Sequence, residues 1–210
     1  IVILLAGLVG DPITKKYPKI SKKINEDYII KIINLCFLKK VKHLIFVSTC
    51  SNYGVTKTKR MVDEKSKLNP LSSYAKSKIK IEKYLKIKFK KNNIKTTILR
   101  FATAFGISNR MRFDLTINQF VRELFLKNEL EVYDTGTWRP YCHVKDFARL
   151  IEIVLNADKN KVDFEVFNSG GDKNNFTKKM IVDCIASKIK GAEIQFNQKD
   201  SDPRNYKVDF

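Results

Sequence analysis

His43-Leu44-Ile45-Phe46-Val47-Ser48 is a continuous apolar run that leads straight into Thr49-Cys50-Ser51-Asn52-Tyr53-Gly54. A run of this kind, bounded by polar residues, predicts a strand buried on both faces. Upstream, Ile1-Val2-Ile3-Leu4-Leu5 is a second such run, ending at the turn residues Ala6-Gly7. Between the two, Ile24, Tyr28, Ile32 and Leu35 recur at helical spacing and predict a helix over 21–40. Downstream comes a polar loop to Pro70. A long helix is predicted over 72–91, with Tyr74, Lys78, Ile81 and Leu85 about a turn apart. Thr96–Phe101 is β-branched and reads as a third strand. Strand, helix, strand, helix, strand is the pattern of a parallel sheet covered by helices.

After Gly106 the alternation loosens. Helices are expected at 114–127, 145–157 and 177–190, with short strands at Leu130–Tyr133, Glu165–Asn168 and Glu193–Phe196. No internal repeat or low-complexity linker is present.

The formal charge is +19 over 210 residues, so nucleic acid must be weighed as a partner. The lysines are spread along the whole chain rather than gathered in a tail, and lysine, isoleucine and asparagine are abundant together. That composition fits an AT-rich genome better than a polyanion surface, so nucleic acid is disfavoured. No stretch approaches the ~20 apolar residues of a membrane span. Cys36, Cys50, Cys142 and Cys184 lack any metal-ligand spacing, so no metal site is expected. Reduced thiols and the absence of a recognisable signal peptide point to a cytoplasmic protein.

Tyr74 and Lys78 stand four apart on one face of the predicted helix. A tyrosine with its ordinary pKa of about 10 is a poor base at neutral pH. A neighbouring ammonium favours the phenolate, and such a pair can take a proton from a hydroxyl. Alone, the spacing is a weak signal in a lysine-rich chain. Thr49 strengthens it, because Thr49 ends a buried strand, where open α/β sheets place ligand sites.

The segments Val47–Gly54 and Pro70-Leu71-Ser72-Ser73-Tyr74-Ala75-Lys76-Ser77-Lys78 together resemble the extended short-chain dehydrogenase/reductase family, in its nucleotide-sugar epimerase and dehydratase branch. The resemblance implies a Rossmann-type, doubly wound α/β sheet with a small substrate lobe, and NAD as cofactor. It implies Thr49, Tyr74 and Lys78 as the catalytic groups. Ala6, Gly7, Leu8, Val47, Ser48, Phe101 and Ala102 would line the cofactor together with Tyr74 and Lys78. Asn25 matches an asparagine common in the family's next helix. Leu99–Gly106 resembles the strand beside the nicotinamide, with Thr103 turned to the sugar. Arg139-Pro140-Tyr141-Cys142-His143-Val144-Lys145-Asp146 resembles the family's R-x-x-x-H-V-x-D segment, in which His143 reads as structural. Asp202–Tyr206 resembles a late arginine segment.

A nucleotide diphosphate needs cations and backbone donors. Arg139 is the first candidate for that contact and Arg204 the second, with Arg112 and Asn118 in support; Thr49 and Thr103 would meet the sugar. The resemblance divides the chain into 1–105 with 142–169 as a partial cofactor domain, and 106–141 with 170–210 as a partial substrate lobe. It also implies a homodimer through the helices near 20–40 and 72–91.

The family's G-x-x-G-x-x-G turn is missing from this sequence. Gly7 and Gly10 are three apart, but the next glycine is Gly54. The expectation is that a first βαβ unit lies upstream of residue 1 and a further helix beyond Phe210. The residue that selects NAD over NADP follows an upstream strand, so NADP stays open. The family's 4,6-dehydratases carry an acidic pair just after the catalytic threonine. Here Cys50-Ser51 stand there, which disfavours elimination and favours epimerisation or a keto-reduction/dehydrogenation, with epimerisation of a nucleotide-diphosphate sugar the first expectation. A reductase, dehydrogenase or 4,6-dehydratase of the same family and a catalytically silent binding protein are the alternatives.

Overall fold

The structure is a computed structural model and describes residues 1–56, 60–89, 94–197 and 205–210. In chain order it runs β1 (Val2–Leu4), α1 (Asp11–Lys16), α2 (Pro18–Lys22), a π-helical turn at Lys23–Tyr28 and α3 (Ile29–Leu38). Next come β2 (His43–Thr49), a 3-10 turn at Cys50–Tyr53, α4 (Ser73–Phe89), β3 (Lys95–Phe101) and β4 (Thr103–Phe105). The second half is α5 (Thr116–Lys127), β5 (Glu129–Tyr133), β6 (Trp138–His143), α6 (Val144–Asn156) and α7 (Lys159–Val162). It closes with β7 (Glu165–Ser169), β8 (Asn175–Thr177), α8 (Lys178–Ala186) and β9 (Glu193–Asn197).

The central sheet is parallel, in the order β1-β2-β3-β7. Successive side chains of a strand point to opposite faces, so a strand buried on both must be apolar at consecutive positions. Leu44, Phe46 and Ile98 pack against Ile29, Ile33, Phe37, Ile81 and Leu85 of α3 and α4. The intervening Ile45 and Leu99 turn the other way, onto Leu150 and Val154 of α6. Helices therefore cover both faces, the doubly wound arrangement expected of the pattern.

The helix over 18–38 exists, but its inward face is not the one formed by the spacing of Ile24, Tyr28, Ile32 and Leu35. Ile29, Ile33, Cys36 and Phe37 are buried, whereas Tyr28 is 43% exposed and Leu35 54% exposed. Two apolar stripes share this helix, and the π-helical turn at Lys23–Tyr28 shifts the phase between its halves. Only the sheet selects between them.

The remaining strands form smaller sheets, β4-β6-β8 and β5-β9. Phe120 and Leu124 of α5, Leu130 and Val132 of β5, and Ile181 and Val182 of α8 share a separate core with Tyr141. The strands β4, β6 and β8 are not legible in the sequence: two have three residues, and β6 contains Pro140, which argues against a strand. Residues 205–210 return to the body of the protein. Tyr206 N donates to the Trp138 carbonyl at 3.3 Å, and Asn175 bonds both ways with Val208 at 2.8 Å. Among the described residues no helix is long and apolar enough to cross a membrane.

Candidate active site

β1, β2 and β3 run in register, with Leu4 beside Phe46 and Thr49 beside Phe101. Their carboxyl ends thus open at one edge of the sheet, the edge at which parallel sheets bind ligands. At the end of β1, the exposed Ala6-Gly7 turn is held by Asn25. The Asn25 side chain accepts from Leu8 N at 2.7 Å and donates to the Leu8 carbonyl at 2.9 Å, as a neighbouring strand would. A methyl on Gly7 would lie 3.1 Å from Asn25 Oδ1, so a small residue suits this close approach.

β2 ends at Thr49, which is 8% exposed. Thr49 caps the 3-10 turn, its hydroxyl oxygen accepting from Ser51 N at 3.1 Å. The turn closes at Gly54, with φ of 68°, where a Cβ would sit 1.8 Å from the Asn69 carbonyl oxygen; only glycine fits. That contact brings the chain back toward the start of α4, and Tyr74 lies in its first turn, half-buried.

Lys78 follows one turn later and is only 5% exposed. Its Nζ donates to the Val47 carbonyl at 2.7 Å and stands 4.7 Å from the Phe46 ring and 5.6 Å from the Tyr74 ring centroid. Burial pulls its pKa down to about 8, against the opposing charge of Glu82. Lys78 therefore touches both neighbours in the chain of expected groups: the ring of Tyr74 on its own helix, and the backbone of β2 two residues before Thr49.

Beneath them lies a buried polar cluster that sequence reading did not single out. Glu82 pairs with Arg100 at 2.7 Å and accepts from Ser48 Oγ and Asn52 Nδ2. Arg100 also donates to the Tyr53 hydroxyl at 3.0 Å, and Tyr53 donates to Asn168 Oδ1 at 2.6 Å. The signal was present: Glu82 is the single acid of α4, and Arg100 is the one charged residue among the buried positions of β3. The hydroxyl of Ser48 is committed to this cluster, and Val47 offers its carbonyl to Lys78.

Phe101 stacks on Phe147 with centroids 3.8 Å apart, Ala102 is buried beside them, and Thr103 is half-buried at the start of β4. Arg112 forms a two-point ion pair with Asp114, and its Nη2 lies against Gly10, 3.2 Å from where a Cβ would stand. Asn118 pins the intervening loop, accepting from Gly106 N at 3.2 Å and donating to the Arg112 carbonyl at 3.1 Å. Arg139 is buried with its guanidinium 5.5 Å from the Tyr206 ring centroid. His143 caps α6, its Nδ1 accepting from Lys145 N at 3.2 Å. Arg204 lies outside the described residues.

The family model described as NAD dependent epimerase/dehydratase matches residues 1–170. The chain belongs to that family. Members are NAD-dependent, and the open strand ends with the small-residue turn at Ala6-Gly7 and the buried Ala102 fit such a cofactor. Among curated proteins, the chain is 27% identical over 172 residues to an uncharacterized UDP-glucose epimerase, YtcB, of Bacillus subtilis. It is 25% identical over 174 residues to an uncharacterized Methanocaldococcus jannaschii protein. These alignments cover 80% and 82% of the chain but 52% of each relative, so the chain spans about half their length. Its fold is similar to that of a UDP-glucose 4-epimerase from Thermotoga maritima solved with UDP-glucose, with TM-score 0.88 and 23% identity, covering 100% of this chain and 68% of that one. TunA, an NAD-dependent NDP-hexosamine 5,6-dehydratase of tunicamycin biosynthesis, matches with TM-score 0.86 at 23% identity over 99% of this chain and 67% of TunA.

Proposed function

We propose that the chain carries the proton-transfer groups of an enzyme that epimerises a nucleotide-diphosphate sugar. The observation that carries this reading is the buried Lys78 ammonium, bonded to the Val47 carbonyl and facing the Tyr74 ring. An ammonium so placed favours the phenolate, and Tyr74 then takes the proton of a sugar hydroxyl. Thr49 uses its oxygen to cap the turn, which leaves its hydrogen for the same substrate oxygen. NAD, when bound, supplies a reversible hydride acceptor for the sugar carbon. Ala6, Gly7, Leu8, Val47, Ser48, Phe101 and Ala102 are the proposed cofactor wall. Thr103, Arg112, Asn118, Arg139 and Arg204 are the proposed substrate contacts, with Arg139 first for the diphosphate.

Epimerisation is favoured over 4,6-elimination by the two residues after Thr49. Cys50 is buried and its thiol is pushed well above the usual range by desolvation, and Ser51 carries no carboxyl group. No acid stands there to help water leave. The naming of YtcB as a UDP-glucose epimerase supports the same side. Incubation of the full-length enzyme, supplied with NAD, with a panel of UDP- and other NDP-hexoses tests the reading: a sugar epimer is expected, and a dehydrated 4-keto-6-deoxy product alone would overturn it.

The same proposal assigns 1–105 with 142–169 to the cofactor domain and 106–141 with 170–210 to the substrate lobe. It takes the protein as a cytoplasmic homodimer. Support comes from Ile32, Leu35 and Leu38, which leave an apolar outer face on α3, and from four cysteines that are all unpaired. Sedimentation should find two copies per particle, and a monomer at micromolar concentration would remove the homodimer.

A further inference from the structure

Glu82 stands one turn past Lys78 and two past Tyr74, so the three side chains leave α4 on one face. It is 8% exposed, a setting in which a carboxylate persists only with its lone pairs occupied. They are occupied. Oε1 accepts from Ser48 Oγ, from Asn52 Nδ2 at 2.9 Å and from Arg100 Nε at 3.2 Å, while Oε2 accepts from Arg100 Nη2 at 2.7 Å. A carboxylate held this way has no free face to offer a substrate proton.

Its partners surround Thr49. Ser48 precedes that threonine, Asn52 sits in the turn Thr49 caps, and Arg100 lies opposite Ser48 in the β2–β3 register. One side chain of the helix therefore grips the strand that carries the hydroxyl on both sides of that hydroxyl. The bond from Lys78 to Val47 is a second attachment between the same two elements, one helical turn away.

We propose that Glu82 is a positioning residue: through Ser48, Asn52 and Arg100 it holds the Thr49 end of β2 against the helix face that carries Tyr74 and Lys78. The proposal rests on the reading of Thr49, Tyr74 and Lys78 as the reacting groups. It distinguishes Glu82 from a stabilising ion pair that could be exchanged for apolar side chains without effect on Lys78. Among the described residues, Lys78 meets Tyr74 and the charge of Glu82 on α4, while β2 presents the Val47 carbonyl and the Phe46 ring; Arg100 on β3 pairs with Glu82.

The test is an NMR titration of the chain labelled with carbon-13 at lysine Cε, with Lys78→Met to identify the Lys78 signal. The Val47 carbonyl shift is followed in the same samples through the Ser48 amide. In Glu82→Gln the Lys78 midpoint should fall by about one pH unit, and the Val47 carbonyl signal should move as its bond to Nζ loosens. If either reading is unchanged in the folded variant, Glu82 does not position the site. Glu82→Gln leaves Arg100 buried without its counter-charge; where circular dichroism finds that variant unfolded, Glu82→Gln/Arg100→Met removes both charges and the same two readings decide. Turnover is not measured in this experiment, so the catalytic reading, which stands or falls on Tyr74→Phe, can fail without it.

Discussion

Lys78 Nζ donates to the Val47 carbonyl oxygen at 2.7 Å, joining the helix that carries Tyr74 to the strand that carries Thr49. A lysine with four flexible carbons would ordinarily extend into water. Here it lies against the Phe46 ring with 5% of its surface exposed, so the position of its charge is set by packing as well as by the bond.

Tyr74→Phe removes the proposed base and one hydroxyl. In the full-length enzyme supplied with NAD, the rate of sugar epimerisation should fall by about 100-fold to 10,000-fold. The melting temperature should change little, because Tyr74 is half-buried and the ring remains. A steady-state assay beside a thermal melt checks both, and retained turnover would remove Tyr74 from the chemistry.

Lys78→Met should separate activity from stability. The ammonium has a pKa of about 8 in the fold, against about 10.4 for an unperturbed lysine. The unfolded chain therefore binds more protons between those values, and stability rises with pH across that window. At pH 7 the charged form is disfavoured in the fold by roughly 3 kcal/mol, offset in part by a hydrogen bond of about 1–3 kcal/mol. Denaturant midpoints of Lys78→Met should equal or exceed those of the parent at pH 7 while turnover is lost. A loss of several kcal/mol would show that the bond to Val47 outweighs burial.

His43 should make the fold acid-sensitive. It is 3% exposed, and its Nε2 lies 2.9 Å from the Thr97 hydroxyl, which itself donates to the Val162 carbonyl. The hydroxyl hydrogen is thus in use, so Nε2 is the donor to Thr97. Desolvation, reinforced by Lys95 and opposed by Asp163, lowers the pKa to about 4. The unfolded chain takes up the proton first as pH falls below about 6.5, so stability drops from there to about 4, by roughly 2–3 kcal/mol. Urea titrations at pH 7 and 4.5 should show this loss, and His43→Gln should flatten it.

Arg100→Met alone should be among the most damaging single changes, costing about 3–5 kcal/mol by leaving the buried Glu82 without its counter-charge. Glu82→Gln/Arg100→Met should recover much of that loss. Chemical denaturation of the two variants provides the comparison. Equal stability would mean that the donors from Ser48 and Asn52 suffice to hold Glu82.

The 210 residues contain no G-x-x-G-x-x-G turn to hold a pyrophosphate through backbone amides. Calorimetry on this chain should accordingly find NAD binding weaker than about 1 mM. Tight one-to-one binding would show that the Ala6–Gly10 turn suffices.

Where a residue's burden is local, it was readable in advance. The strands at 43–49 and 95–101 are buried on both faces, and their long runs of apolar and β-branched residues mark them in the sequence. Tyr74 and Lys78 share a helix, and a four-residue spacing puts them on one face whatever surrounds them. The partners of Glu82 are different: Ser48, Asn52 and Arg100 are 34, 30 and 18 residues away in the chain. No local period connects them. For the same reason β6, with Pro140 inside it, is a strand only because β4 and β8 lie beside it.

Periodicity was enough to specify a parallel α/β sheet and to put Tyr74 and Lys78 on one helix face, because those features depend on residues within a turn or a strand of one another; Thr49 was nominated by the resemblance of its segment to the family. Packing alone chose which stripe of the 18–38 helix faces inward, committed Ser48 to Glu82, and set Arg112 beside Asp114 and Gly10. Each of those outcomes is a competition between non-local contacts, in which the desolvation cost of a buried charge or an exposed apolar face is fixed only once the other elements are in place.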